Sequence, residues 1–178
     1  RSGTFYAARL KSAIVPSTWV LVDRDIVPGM PEHLASMVRG QWHAAMATIL
    51  PGYEDAGKVV VGSSSSRLIV AGVQQDSGNF HVFVQIQDSQ DLSRLGAALL
   101  MQAFERGLGF ARPIYCRETG EEKHQRPWSI FDPTTFSQER LCYEGKPVVK
   151  GVGLEIGSAD IEVFDGPAID SHAVPTPP

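Results

Sequence analysis

The sequence predicts an α+β domain with a mixed sheet, rich in antiparallel strands and flanked by helices. Several β-type segments follow one another with no helix between them, which disfavours a doubly wound arrangement of alternating strands and helices. Two longer segments instead carry apolar residues at helical spacing. At 178 residues the chain has the length of one domain with a substantial core.

The first core strand is predicted over residues 15–22, which are mainly apolar or β-branched. A helix is then expected to start at Pro31, because proline fits the first helical turn and Glu32 there complements the helix dipole. It should end at Ile49, before Pro51 and Gly52. Apolar residues recur at helical spacing through this segment, at Leu34, Met37, Val38, Trp42, Ala45, Met46 and Ile49.

Three further β-type segments follow, at residues 58–61, 67–73 and 80–86. Asp91 is a predicted cap for a second helix that runs to about Arg106 and ends at Gly107. Beyond this helix we expect one more strand and a charged mobile loop, at residues 114–116 and 117–126.

The chain is predicted to form one folded domain over residues 1–165 and a Pro-rich linker or tail over residues 166–178, leading to a further domain. No apolar run is long enough to cross a membrane. Cys116 and Cys142 lie far apart and suggest neither a zinc site nor a disulfide framework, so we expect a cytoplasmic location.

The charge distribution limits how the protein can bind nucleic acid. The formal net charge is −4, and residues 151–178 carry five acidic and no basic residues, which leaves residues 1–150 at +1. A global positive field is therefore excluded, and any nucleic-acid contact must rest on a local basic patch.

Two acidic residues close the first predicted strand, in the sequence Trp-Val-Leu-Val-Asp-Arg-Asp at residues 19–25. Asp23 and Asp25 should project to the same side, because alternate side chains of a strand share a face. Neighbouring carboxylates repel each other unless a cation lies between them. The pattern indicates a site for Mg²⁺ or Mn²⁺ and the phosphates of a nucleotide, although a strand that simply enters a polar turn has the same pattern.

Two segments have the character of phosphate-binding loops. The run Ser63, Ser64, Ser65 and Ser66 with Arg67 offers hydroxyls, free backbone N–H groups and a positive charge after a strand. The turn at Ser77 and Gly78 delivers His81 to the start of an apolar strand, although a lone strand histidine is more often structural. A third acidic residue, Asp132, ends the apolar segment 128–131 and would complete a two-metal site.

The order of these motifs resembles that of the archaeo-eukaryotic primase superfamily, in particular the primase–polymerase domains of plasmids, phages and integrated elements. The Asp-Arg-Asp strand end, the Ser-Gly-x-x-His segment at residues 77–81 and the apolar segment ending in Asp132 are similar to the three motifs of that family. The serine run and residues 136–145 are similar to segments of plasmid-borne members. The resemblance covers roughly residues 15–150.

The resemblance implies a primase-like catalytic core that performs template-directed nucleotidyl transfer, as a DNA primase, a DNA polymerase or both, in the replication of a mobile element. Asp23, Asp25 and Asp132 would be the ligands of Mg²⁺ or Mn²⁺. His81, with Ser77 nearby, would contact the triphosphate of the incoming nucleotide. The implied partners are a single-stranded DNA template, NTPs or dNTPs, and a helicase or helical accessory domain.

The sequence is also compatible with two other function classes. A metal-dependent nuclease or replication initiator needs paired histidines or a tyrosine nucleophile; no His-x-His occurs, His33 and His43 lie ten residues apart, and Tyr115 and Tyr143 are the candidates. A single-stranded nucleic-acid-binding module would instead stack bases on sheet aromatics, for which Phe80 and Phe83 are available. The residues Arg117, Lys123, His124 and Arg126 form either a basic flap or a solvated loop.

Overall fold

The structure is a computed structural model that describes residues 17–75, 77–137, 149–158 and 160–176. Its strands are β1 (Trp19–Arg24), β2 (Lys58–Gly62), β3 (Leu68–Val70), β4 (Val73–Gln74), β5 (Phe80–Gln85), β6 (Gly109–Tyr115), β7 (Glu122–Ser129), β8 (Leu154–Ile156) and β9 (Ile161–Phe164). Its α-helices are α1 (Glu32–Ala35), α2 (Arg39–Ile49) and α3 (Leu92–Glu105). The predicted α+β class is confirmed.

The central sheet has the strand order β1-β5-β2-β9, and every neighbouring pair in it is antiparallel. A smaller sheet has the order β4-β3-β8, and β6 pairs with β7 as a two-stranded ribbon. Within the described ranges, no helix is both long and apolar enough to cross a membrane.

One face of the central sheet forms the core. Val22 and Val82 point into this face and are fully buried, and α2 adds Trp42 to the same apolar cluster. Helix α3 contributes Leu95 and Leu99. The other face carries Asp23 and His81, which are directly opposite each other on β1 and β5. The strand alternation thus separates the apolar core from Asp23 and His81.

The predicted helix from Pro31 to Ile49 is wrong in one respect, because the structure divides it into α1 and α2. The guanidinium of Arg24 donates to the backbone carbonyls of Ala35 and Met37 at 3.1 and 2.7 Å. Val38 then takes an extended conformation, and its N–H donates to the side chain of Gln41. A buried arginine therefore occupies carbonyl groups that a continuous helix would use itself.

The predicted single strand over residues 67–73 is also wrong, because it is a hairpin of β3 and β4. Ala71 and Gly72 both have positive φ, at 50° and 80°, and join the two strands as a two-residue turn. Such turns match the twist of the flanking strands. The predicted strands at residues 58–61 and 80–86, and the helix from Asp91 to Arg106, are confirmed to within a residue or two.

The second half of the predicted mobile loop over residues 117–126 is a strand, since β7 begins at Glu122 and pairs with β6 along its length. A turn at residues 116–121 connects the two strands, with Gly120 N–H donating to the carbonyl of Cys116 at 2.9 Å. The polar composition misled the prediction, because a ribbon exposed to solvent needs few apolar residues.

The expected linker from residue 166 onward packs on the domain through its described part. Ile169 is 3% exposed and Val174 is fully buried, so the packed domain continues at least to Val174. Arg94 of α3 donates to the carbonyls of Ser171 and Val174 at 2.6 and 2.9 Å. That a further domain follows stays a prediction, and the predicted start of β1 at residues 15–16 lies outside the described residues.

Candidate metal centre

The end of β1 positions the first two carboxylates. Asp23 is 8% exposed and Asp25 is half-buried just after the strand. Arg24, between them, points to the opposite face and is 2% exposed. Its Nε donates to the carbonyl of Gly78 at 3.0 Å, so the arginine fixes the strand end against the turn before β5.

The third carboxylate reaches the same place from the end of β7. Asp132 is 3% exposed, and its backbone N–H donates to the carbonyl of Asp23 at 2.8 Å. Its Oδ1 accepts hydrogen bonds from the N–H and the hydroxyl of Thr134 at 2.8 and 2.7 Å. The carboxylate is therefore held in one orientation by the turn that follows it.

The structure brings the three acidic residues together, as the sequence predicted. Asp23, Asp25 and Asp132 each offer a carboxylate oxygen, and these oxygens lie within 4.8 Å of one another. His81 joins them, with its Nε2 3.4 Å from Oδ1 of Asp23. We name the three acidic residues the carboxylate cluster.

The donor set of the carboxylate cluster fits a hard divalent cation. Mg²⁺ and Mn²⁺ prefer oxygen ligands, and carboxylates from separate chain segments are their usual protein ligands. Two of the three carboxylates are buried, so mutual repulsion is poorly screened by solvent. A cation between the three groups would relieve this repulsion.

The serine run lies against the turn that precedes His81. The hydroxyl of Ser65 is 2.8 Å from that of Ser63 and 3.0 Å from that of Ser77. The hydroxyl of Ser66 donates to the carbonyl of Ser63 at 2.8 Å. Ser64 is half-buried in the same loop. The two predicted phosphate-binding segments therefore form one hydroxyl-lined loop.

Arg67 closes this loop with a buried positive charge. It is 8% exposed, and within the described part of the chain its buried Nε has no hydrogen-bond partner. A buried guanidinium N–H that lacks an acceptor is costly, so an anion at this position would supply what the protein does not.

A cavity of about 350 Å³ adjoins the loop. Its lining includes Ser66, Ser77, Phe80, Arg24 and Arg39, and both guanidinium groups lie over the Phe80 ring, at 5.8 and 5.4 Å from its centroid. Neither arginine was predicted from the sequence to be a site residue. The signal for Arg24 was a charged residue inside an otherwise apolar strand.

The residues that the two alternative function classes would use are less suitably placed for their roles than the three acidic residues are for binding a cation. Phe80 is 3% exposed and packs on Trp42, so it is not available to stack a base, whereas Phe83 is half-buried. Tyr115 is exposed on the β6–β7 ribbon. Tyr143 lies outside the described residues, as do Cys142 and most of the stretch 136–145 that supported the family resemblance.

The two helix histidines do not form a ligand pair. His33 is exposed on α1. Nδ1 of His43 lies 2.6 Å from the hydroxyl of Tyr53, and burial, with help from Lys58 and Arg39, lowers the pKa of His43 to about 4. His43 is therefore a neutral core histidine at pH 7.

Comparison with known proteins identifies no relative. No protein-family model matches the chain, and the searches of curated proteins and of solved structures also give no match.

Proposed function

We propose that this protein is a nucleotidyl transferase of the primase–polymerase type. The observation that carries the proposal is the convergence of Asp23, Asp25 and Asp132 to within 4.8 Å. This convergence is accompanied by a histidine and a hydroxyl-lined loop, which are the groups that a polyphosphate substrate needs nearby. Membership of the archaeo-eukaryotic primase superfamily is part of the proposal.

The three carboxylates would hold Mg²⁺ or Mn²⁺. When bound, such ions activate the attacking 3′-hydroxyl and stabilise the charge on the pyrophosphate leaving group. The protein contributes fixed negative charge at one end of the sheet. Asp132 is held by Thr134 and by the backbone of Asp23, so little reorganisation is needed to receive the cation.

The phosphates of the nucleotide would be bound beside the cluster. Ser63, Ser65 and Ser77 offer hydroxyl donors, and His81, which stands next to Asp23, would contribute its imidazole to phosphate binding. Arg67 would supply a full positive charge from a buried position. These groups would orient the triphosphate. Positioning and charge stabilisation are the main contributions of a protein to in-line phosphoryl transfer.

Arg24 is proposed to position both halves of the site. Its side chain binds the carbonyl of Gly78, before β5, and those of Ala35 and Met37, before α2. It therefore links the strand end that carries Asp23 and Asp25 to the turn that leads to His81. The proposed template is single-stranded DNA, the substrates are NTPs or dNTPs, and a helicase or helical accessory domain is the proposed partner.

The test is incorporation of labelled NTPs or dNTPs on single-stranded DNA templates with Mg²⁺ or Mn²⁺, with and without a primer. We expect metal-dependent labelled products from the parent protein. The variant Asp23→Ala/Asp25→Ala should lose at least a thousandfold of this activity, because both metal ligands are gone.

The matched control removes two carboxylates elsewhere. Glu155 and Asp165 are exposed, and Glu155→Ala/Asp165→Ala should keep the parent activity. Absence of product from a folded parent protein, even on primed templates with either metal, would contradict the proposal. Cleavage of the template in place of incorporation would favour the nuclease alternative.

A further inference from the structure

Strand β9 forms an open edge of the central sheet. It pairs with β2, and no other strand in the described part of the chain pairs with it. Ile161 and Val163 on this strand are 58% and 69% exposed, although both are large apolar residues. An edge strand with exposed apolar side chains is a template on which another strand can pair.

The ladder between β2 and β9 leaves backbone groups unused at this edge. The N–H of Gly62 donates to the carbonyl of Asp160 at 3.2 Å, so these two residues extend the antiparallel ladder as a hydrogen-bonded pair. Such pairs fall on every second residue of a strand, so Ile161 and Val163 do not bond to β2. The N–H and C=O groups of both residues therefore point away from β2 and towards the open edge.

Strand β9 is without three common forms of edge protection, which are lysines, prolines and β-bulges. The strand reads Ile-Glu-Val-Phe and keeps one register with β2 throughout. Its one charged residue, Glu162, forms an ion pair with Arg39 of α2, which also lies 3.3 Å from Asp160. Arg39 thus offsets acidic charge that would otherwise repel an approaching strand of the same sequence.

An apolar row crosses the whole sheet and ends at this edge. Its members are direct cross-strand partners on β1, β5, β2 and β9, namely Leu21, Phe83, Val59 and Val163. The first three are half-buried, and Val163 is the most exposed of the four. A strand that pairs with β9 opposite Val163 would therefore extend this row if it placed an apolar side chain there.

We propose that β9 pairs with β9 of a second copy of this chain, antiparallel and about a twofold axis at Val163. The two central sheets then form one eight-stranded sheet, and the apolar row continues across the axis from one Val163 to the other. Such a contact is self-complementary, as a twofold interface requires. The axis is perpendicular to the sheet, so both carboxylate clusters face the same side of it. The inference does not depend on the proposed function.

The charge pattern of the strand favours this register and a second copy as the occupant. With the axis at Val163, Glu162 faces Phe164 of the second copy, and Asp160 faces Gly166. No two acidic residues are then directly opposite each other. An axis at Glu162 would instead place two copies of that carboxylate opposite each other, which is unfavourable. The register at Val163 also uses the free N–H and C=O groups of this residue on both strands.

The test is analytical ultracentrifugation of the parent protein from about 5 to about 500 µM, the range in which small interfaces associate. The average mass should rise towards that of two chains. Val163→Lys should weaken association at least about tenfold, because two lysines would stand opposite each other across the axis, and Val163→Glu should do the same. An equimolar mixture of these two variants should associate again, since opposite charges then face each other. Val152→Lys changes an exposed valine away from β9 and should associate like the parent.

Hydrogen exchange gives an independent measurement on the parent protein. The amides of Ile161 and Val163 should exchange freely in dilute solution and become protected as the concentration rises. A parent that stays monomeric at every concentration overturns the inference, as does a Val163→Lys variant that associates like the parent. Protection of both amides in the monomer would also overturn it, since another segment of the same chain would then cover the edge. Far-ultraviolet circular dichroism checks that each variant is folded, and the mixture of the two charged variants shows that each retains a competent β9.

Discussion

The protein places acidic residues and a histidine together in two separate regions, and the regions differ in what neutralises the charge. The carboxylate cluster lies at the end of β1, beside His81. The second region, the C-terminal clasp, consists of Asp88, Asp91, Arg94 and His172. Arg94 binds Asp91 through two hydrogen bonds of 2.6 Å, and His172 lies 3.1 Å from Asp88.

The clasp is complete without a ligand. The Arg94 guanidinium holds the pKa of the Asp91 carboxyl below its usual range, and Arg94 also binds the carbonyls of Ser171 and Val174. Its charges therefore stabilise the docking of the C-terminal segment. The carboxylate cluster instead brings together three acidic residues from two distant segments, with carboxylate oxygens within 4.8 Å of one another. The number of carboxylates in a region is therefore less informative than the groups that lie between them.

The largest effect on stability is expected in the clasp. Arg94→Gln removes the cation from Asp91, which is 8% exposed, and frees two backbone carbonyls. A buried carboxylate without its partner is strongly destabilising, so the free energy of unfolding should fall by about 2–3 kcal/mol in urea titrations. Arg106→Gln, at the exposed end of α3, is the control and should cost less than about 0.5 kcal/mol.

A loss below about 0.5 kcal/mol for Arg94→Gln would show that the clasp is not a stabilising element. Nucleotide incorporation by this variant, measured at a temperature where it is folded, should stay near that of the parent. A loss of activity without unfolding would instead indicate that the clasp contributes to the functional site.

A smaller effect on stability is expected from His43, which belongs to neither region and makes stability depend on pH. Burial lowers the pKa of His43 to about 4. Below about pH 6.5 the unfolded chain therefore binds a proton at this histidine that the folded protein does not bind. Stability conferred by the neutral ring is present at pH 7 and declines as pH falls from 6.5 towards 4. Between pH 7 and pH 5 the parent should lose about 1 kcal/mol more than His43→Gln.

Urea midpoints at the two pH values measure this difference. His33→Gln, which changes an exposed histidine on α1, is the control. An unchanged pH dependence in His43→Gln would assign the acid sensitivity to other groups.

The smallest expected change is in the hydroxyl-lined loop, and it concerns binding rather than stability. Ser65→Ala removes the hydroxyl that lies between those of Ser63 and Ser77. One hydrogen bond is worth about 1 kcal/mol, so the KM for the nucleotide should rise about fivefold while kcat and unfolding change little. Ser93→Ala, on the exposed side of α3, is the control. Equal KM values for parent and Ser65→Ala would remove this loop from the nucleotide site.

Local patterns were sufficient to predict β1, β2 and β5 and the projection of Asp23 and Asp25 to the same side. Period-2 alternation fixes which side chains share a face, and the apolar runs locate β2 and β5. The placement of Asp132 was inferred only from residue type and family resemblance, since it lies 107 positions beyond Asp25. Its hydrogen bond to the backbone of Asp23 is a long-range contact that no local pattern encodes.

The wrong predictions of one continuous helix and of a loop at 117–126 have a common cause, which is contact with a different element of the fold. The helix break at Ser36 depends on Arg24, which lies on a different element and captures the carbonyls of Ala35 and Met37. The polar strand β7 exists because β6 pairs with it, so its own composition carries little signal. The packing of residues 166–174 similarly depends on Arg94, eighty residues away from Val174.

The most direct test of the central claim is Mn²⁺ binding measured by isothermal titration calorimetry on the parent, Asp132→Asn and Asp91→Asn proteins. Asp132→Asn keeps an oxygen that can accept from Thr134 but removes the charge. We predict that the parent and Asp91→Asn bind Mn²⁺ alike and that Asp132→Asn binds at least tenfold more weakly. Equal binding by Asp132→Asn and the parent, with all three proteins folded, would contradict the assignment of the carboxylate cluster as a metal centre.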